Sequence, residues 1–205
     1  MGHGGDVIQE LTTDHREVDD LFNQFDDAKP GSADRKRLVD AITIELVRHS
    51  VAEEQHLYPA VREHLEEGDA LADKEIDDHG RVERLLKGLE MLEAIDPDFD
   101  RMVRELRTEV TAHVDDEETH LFPQLRNHVH QPVLDELAEL VREAKKTAPT
   151  RPHPGAPSTP PANKLLAPGL GLVDRARDYV TGRGRTRAGE LAQGERSPSA
   201  PTTRT

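Results

Sequence analysis

Residues His49 to Pro59 read HSVAEEQHLYP, and residues His113 to Pro123 read HVDDEETHLFP. Each stretch places a histidine four residues before a glutamate (His49 and Glu53, His113 and Glu117). A second histidine follows three residues later (His56, His120), and then a proline. Imidazole nitrogens and carboxylate oxygens are a donor set for iron, manganese and zinc. Side chains at i, i+4 and i+7 share one face of an α-helix, so each stretch would turn all three groups the same way. Charged groups are costly to bury unless partners or cations compensate. Two such faces turned toward each other therefore predict a pair of metal ions held between helices.

The repeat extends beyond these stretches. At an offset of 64 residues, Asp14-His15 aligns with Asp78-His79, Val18 with Val82 and Leu21 with Leu85, and the match runs on to His64 and His128. Each half reads as a helical hairpin, and the bundle as a duplicated pair. On the first helix the inward series is 8, 11, 15, 18, 22, 25, with His15 in its middle; on the third it is 72, 76, 79, 82, 86, 89, with His79 in its middle. The second and fourth helices contribute 42, 46, 49, 53, 56 and 106, 110, 113, 117, 120. Any one of these histidines alone is better explained as a satisfied or half-exposed side chain. The whole set requires the same coincidence in both halves. The predicted ligands are therefore His15, His49, Glu53, His79, His113 and Glu117, with the two glutamates bridging two metal ions.

Other polar residues receive weaker assignments. His56 and His120 lie a turn beyond the glutamates, and two readings stay open for them: ligand, or supporting group that passes a proton to a bound molecule. Glu54 and Glu118 read as outer or surface carboxylates, and Asp14 and Asp78 as flanking the histidines without binding metal. Asp19 and Glu83, one turn after His15 and His79, are weaker candidates. His64 and His128 lie past the prolines, where direction is unreadable. His3, His130 and His153 read as solvated, and helical geometry points Tyr58 away from the seam, into packing.

The elements that must position these groups are helices. Apolar periodicity predicts helices over about 5–28, 34–66, 70–95 and 98–130, with a short fifth helix over Pro132 to about Lys146 whose inner side is Val133, Leu137, Leu140 and Val141. Ser32 or Asp34 can cap the second helix, and Asp96-Pro97 reads as an N-cap followed by proline at the first helical position. Pro59 and Pro123 fall inside the second and fourth helices, which should bend there. Nothing alternates with period two for long enough to be a strand. The predicted fold is all-α: an antiparallel up-down-up-down four-helix bundle over residues 1–146.

Composition bounds the rest. Residues 1–150 hold 37 acidic and 18 basic side chains, whereas residues 151–205 hold 4 acidic and 9 basic ones among many prolines. The later segment, 147–205, reads as mostly disordered, with a marginal helix near 170–181 (Leu172, Val173, Ala176, Val180) to which no role is assigned. Docking of that helix on a partner or a membrane surface is the other reading. An acidic domain repels phosphate backbones, so no nucleic-acid partner is expected. The chain has no cysteine, which excludes thiolate zinc sites and iron–sulfur clusters. No apolar leader and no membrane span is visible, so a cytoplasmic location is expected.

The order His15, His49-x-x-x-Glu53, His79, His113-x-x-x-Glu117, with the segments EEQHLYP and EETHLFP, resembles the hemerythrin-like HHE cation-binding family over roughly residues 6–130. The resemblance implies a four-helix bundle around a non-heme di-iron centre, with the four histidines as terminal ligands and the two glutamates as bridges. Oxygen-carrying hemerythrins have a further histidine one turn after the third-helix ligand, where this chain has Glu83. They also place an aspartate five residues after the last histidine, where this chain has Glu117 at four. Both departures point away from reversible dioxygen carriage and toward the bacterial hemerythrin-like proteins. The resemblance then implies binding of dioxygen, nitric oxide or peroxide at iron, with peroxide decomposition of the catalase kind as a candidate activity. A sensor or iron-binding protein without turnover is the alternative. Histidine and carboxylate also suit manganese and zinc, and iron is the preferred expectation among the three.

Overall fold

A computed structural model describes residues 4–181 and Arg183, and over them the chain is all-α. His3 and residues 184–205, read above as solvated or unstructured, lie outside the described residues. Helix α1, Val7–Asp27, opens on a capping box: the Asp6 carboxylate accepts the Gln9 amide N–H at 3.1 Å, and the Gln9 side chain accepts the Asp6 N–H at 3.1 Å. Ser32 caps α2, Ala33–Ala52, and Gly31 at φ 70° supplies the left-handed turn before it. Helix α4, Gly68–Glu90, and α5, Phe99–Asp116, complete the four-helix bundle. The expected cap at Asp96 is absent: Asp96-Pro97-Asp98 forms a turn, in which the Asp96 carboxylate accepts the Glu93 N–H at 2.7 Å.

The two proline-bearing helices do divide, and the break takes a particular form. A π-helical turn, Glu53–Leu57, separates α2 from α3, Tyr58–His64; a second, Glu117–Leu121, separates α5 from α6, Phe122–His128. A proline ring clashes with the carbonyl four residues earlier, and the wider i→i+5 turn makes room for it. The prolines then fall in the first turn of α3 and α6, where a missing N–H is tolerated.

Two apolar layers flank the middle of the bundle. One contains Val18, Phe22, Ile42, Leu46, Val82, Leu86, Leu106 and Val110. The other contains Val7, Leu11, Ala52, Leu57, Val61, Ala72, Leu121 and Leu125, and is covered by Leu134, Leu137, Ala138 and Val141 of α7, Gln131–Thr147. Leu140, expected inside, is 40% exposed, because the inner stripe of α7 follows 134, 137, 138 and 141. On each of the four bundle helices the predicted ligands fall between the two layers. Their polar groups form a belt sealed by hydrocarbon on both sides.

The segment after Thr147 departs from the expectation of disorder. Residues 148–161 run back along the bundle and lead into α8, Ala162–Thr181, which begins eight residues before the helix predicted from the apolar pattern. Its attachment is largely polar. Asp174 accepts the backbone N–H groups of Thr150 and Arg151 at 3.2 and 3.1 Å and pairs with the His153 ring at 2.9 Å. The Arg151 guanidinium bridges Glu90 of α4 and Asp178 of α8. Gly171 lets α8 approach the end of α7: a Cβ there would come within 2.2 Å of the Thr147 carbonyl oxygen. Composition misleads here because buried ion pairs, rather than a hydrophobic face, hold the segment down.

Candidate metal centre

The six predicted ligands meet in the belt. His15 and His49 of the first half face each other at 3.3 Å between Nε2 atoms, and His79 and His113 of the second half at 3.2 Å. Glu53 reaches both halves: its Oε2 lies 3.1 Å from His49 Nε2 and 3.3 Å from His79 Nε2. Glu117 does the same in reverse, with its Oε2 3.4 Å from His15 Nε2 and 3.6 Å from His113 Nε2. All six are buried, the two glutamates completely. Their ligand atoms form groups compact enough to hold metal ions, among them His15, His49, Glu53 and Glu117 together, and Glu53, His79 and His113 together.

Each histidine is steered from behind. The Nδ1 of His15 meets Glu118 at 2.8 Å, that of His49 meets Asp14 at 3.2 Å, that of His79 meets Glu54 at 3.1 Å and that of His113 meets Glu75 at 2.9 Å. A carboxylate beside Nδ1 assigns the proton to that nitrogen and leaves the Nε2 lone pair directed at the centre. Where the imidazoles are neutral, four lone pairs then converge with two carboxylates, and the Nε2 atoms 3.2–3.3 Å apart repel. Glu53 Oε1 and Glu117 Oε2 are buried with no hydrogen-bond partner. A buried orphan oxygen is expensive, and a cation is the partner that carboxylate and imidazole donors share. The residues present therefore fit a metal pair.

Electrostatics carry the same message. Burial opposes protonation of His49, yet the carboxylates of Glu53 and Asp14 raise its pKa well above the usual value. Burial likewise opposes a charge on His79, but Glu53 and Glu54 push it up to about 10. For Glu53, burial favours the neutral acid, and the imidazoles of His49 and His79 overcome this and hold its pKa well below the ordinary range. Hydrogen bonding to His15, followed by Arg16, holds Glu118 at about 2.

Several assignments change. Tyr58, expected to point into packing, is buried with its hydroxyl at the centre: 3.1 Å from His79 Nε2, 3.2 Å from Glu117 Oε1 and 3.4 Å from Glu53 Oε2. Burial, then Glu117 and Glu53, raise its pKa well above the usual value, so it keeps its proton. His56 and His120, expected inward, stand outside the cluster. His120 is exposed and pairs with Asp116 at 3.0 Å; His56 is half-buried, where burial and the nearby Lys164 lower its pKa to about 4. One cause explains all three. The 100° rule assumes α-helix, and the π turn brings residue i+5 rather than i+3 back to the ligand face.

The remaining candidates divide. Glu54, Glu118 and Asp14 support ligand histidines, while Asp78 pairs with Lys74 and Arg81 instead. The support that Asp14 gives His49 comes in the second half from Glu75, a fully buried residue that meets His113 and that sequence reasoning passed over. Asp19 is exposed and bound to Arg107. Glu83 belongs to no metal group; it accepts the His153 backbone N–H at 2.7 Å. His153, read as solvated, is instead held by Glu83 and Asp174, whereas His64, His128 and His130 are exposed.

Comparison with known proteins agrees with this geometry. The family model for the hemerythrin HHE cation binding domain matches residues 6–125. An uncharacterized hemerythrin-like protein of Schizosaccharomyces pombe is 30% identical over 175 residues, covering 85% of this chain and 86% of the relative. A DNA nickase of a Nostoc species is 32% identical over 143 residues, covering 68% of this chain but only 38% of the nickase. A crystal structure of a hemerythrin HHE cation binding domain-containing protein from Mycobacterium kansasii shares the fold, with a TM-score of 0.62 at 23% identity over 70% of this chain and 86% of the other. Belt, bundle and family match lead to one conclusion: the chain belongs to the hemerythrin HHE cation-binding family.

Proposed function

We propose that the chain is a non-heme di-iron protein that binds dioxygen, nitric oxide or peroxide and decomposes peroxide. His15 and His49 would hold one iron, His79 and His113 the other, and Glu53 and Glu117 would bridge them. The observation that carries this reading is the exchange of carboxylates: each glutamate faces one histidine of its own half and one of the other. A pair of irons held by these residues would supply two-electron redox chemistry, the kind that peroxide decomposition needs.

The protein's part is to hold, orient and protonate. Asp14, Glu54, Glu75 and Glu118 fix the four imidazole rings. Val18, Leu46, Val82, Val110 and Val114 line a void of about 20 Å³ against the histidines and give it mostly apolar walls. The Tyr58 hydroxyl offers a proton at the centre, the role left open above for His56 or His120. The nickase's activity is not carried over, since an acidic bundle repels a phosphate backbone.

A sensor without turnover is the second reading. Its support is the connection of Glu83, one turn from His79, to the C-terminal segment. The test is peroxide loss by the protein as isolated and after chelation, with nitric oxide binding measured alongside. Iron-dependent peroxide loss supports the enzyme; tight nitric oxide binding without turnover supports the sensor; neither activity overturns both.

A further inference from the structure

A second cavity, of about 210 Å³, lies between α2, α4 and the segment from Pro149 to Leu170. Its walls are mostly apolar, with Val47, Val51, Ile76 and Leu86 on the bundle side and Ala167 and Leu170 on the side of α8. Leu46, Ser50, His79 and Val82 line both this cavity and the small void against the four histidines. The partition between cavity and metal centre is therefore one layer of side chains thick.

The outer wall is a built feature. It comes from residues beyond the 6–125 stretch that the family model matches, and it is fixed through Glu83, Glu90, Asp174 and Asp178. The charged groups on the lining are already engaged: Glu54 with His79, Glu83 with the His153 amide, Arg151 with Glu90 and Asp178, and the His153 ring with Asp174. None is left to hold an ion. Apolar cavities of about 150 Å³ take benzene or xenon, so this chamber has room for more than a diatomic.

We infer that the C-terminal segment makes a binding chamber for a small, uncharged, mostly apolar molecule, opening on the metal centre through Leu46, Ser50, His79 and Val82. The chamber selects by charge and polarity before the centre is reached, so among the ligands named above it serves dioxygen or nitric oxide rather than the polar peroxide. It deepens the di-iron reading by naming what approaches it, and it rests on that reading only for the chemistry beyond the partition.

Xenon tests the chamber in crystals of the full chain under gas pressure, with and without metal. The expected result is xenon between α2, α4 and α8, lost in Ala167→Trp, which fills the space, and increased in Leu170→Ala, which enlarges it. Nitric oxide binding to the iron-loaded protein should slow in Ala167→Trp, while its iron content stays that of the parent. Xenon absent from the chamber, or unchanged in Leu170→Ala, would overturn the proposal; the second variant decides even if the tryptophan displaces α8. Loss of the di-iron reading would appear instead as missing iron, with xenon still in place.

Discussion

At the scale of single residues, the two halves of the centre are alike in their ligands and unlike in two supporting groups. Tyr58 and Phe122 occupy equivalent positions after the two π turns, Tyr58 tilted against His79 and Phe122 stacked on His15 at 5.9 Å between ring centroids. Only the tyrosine brings a hydroxyl. Tyr58→Phe makes the halves equal at this position; iron content should hold, while peroxide decomposition falls by about 10²-fold, the usual scale for losing a proton donor. Equal rates in parent and variant would remove Tyr58 from the mechanism. The second inequality is Glu75, whose counterpart is Leu11. Glu75→Leu strips His113 of its Nδ1 partner and should weaken one metal site by about 10–100-fold, as outer-shell losses do, read by metal titration. The six candidate ligands, which the fold brings together in the belt, were legible because type and spacing recur in both halves. Glu75 was not, because it breaks the repeat, although a carboxylate one turn before His79 on a core stripe was a visible signal.

At the scale of elements, the π turns decide which side chains see the centre. The sequence marks their place through Pro59 and Pro123, and predicts the bend, but periodicity alone assigns the wrong rotation beyond it. The bundle helices themselves were readable within a few residues of their ends, since each carries a long apolar stripe. Helix α8 was half readable, because its docking depends on Asp174 and Asp178 pairing with the stretch around Arg151. That attachment has a pH limit. Burial favours the neutral form of Glu90, yet Lys87 and Arg151 outweigh it and lower its pKa from 4.5 to about 2. The stabilisation is therefore complete above pH 4.5 and fades as pH falls toward 2. Amide hydrogen exchange in residues 162–181 should accelerate over that window, ahead of exchange in α1 and α4. Arg151→Ala should bring the same acceleration at neutral pH, and unchanged exchange in that variant would mean that the ion pairs do not hold α8.

For the whole molecule, a belt of ionisable groups between two hydrophobic layers is stable only when its charge is balanced. Metal ions bind the folded bundle and not the unfolded chain, so they stabilise by mass action. At a free metal concentration a thousand times the dissociation constant this gives about 4 kcal/mol, or a rise in Tm of roughly 10 °C for a chain of this size. Calorimetry of loaded and chelated samples reads that shift, and coincident melting curves would contradict it. No described helix is long and apolar enough to cross a membrane. The most direct measurement is the iron content of the purified chain beside that of the Glu53→Gln, Glu117→Gln double variant. The account predicts about two irons per chain in the parent, as two histidine pairs with shared carboxylates require, and well under one in the variant. A parent without iron, or a double variant that retains both ions, would contradict it.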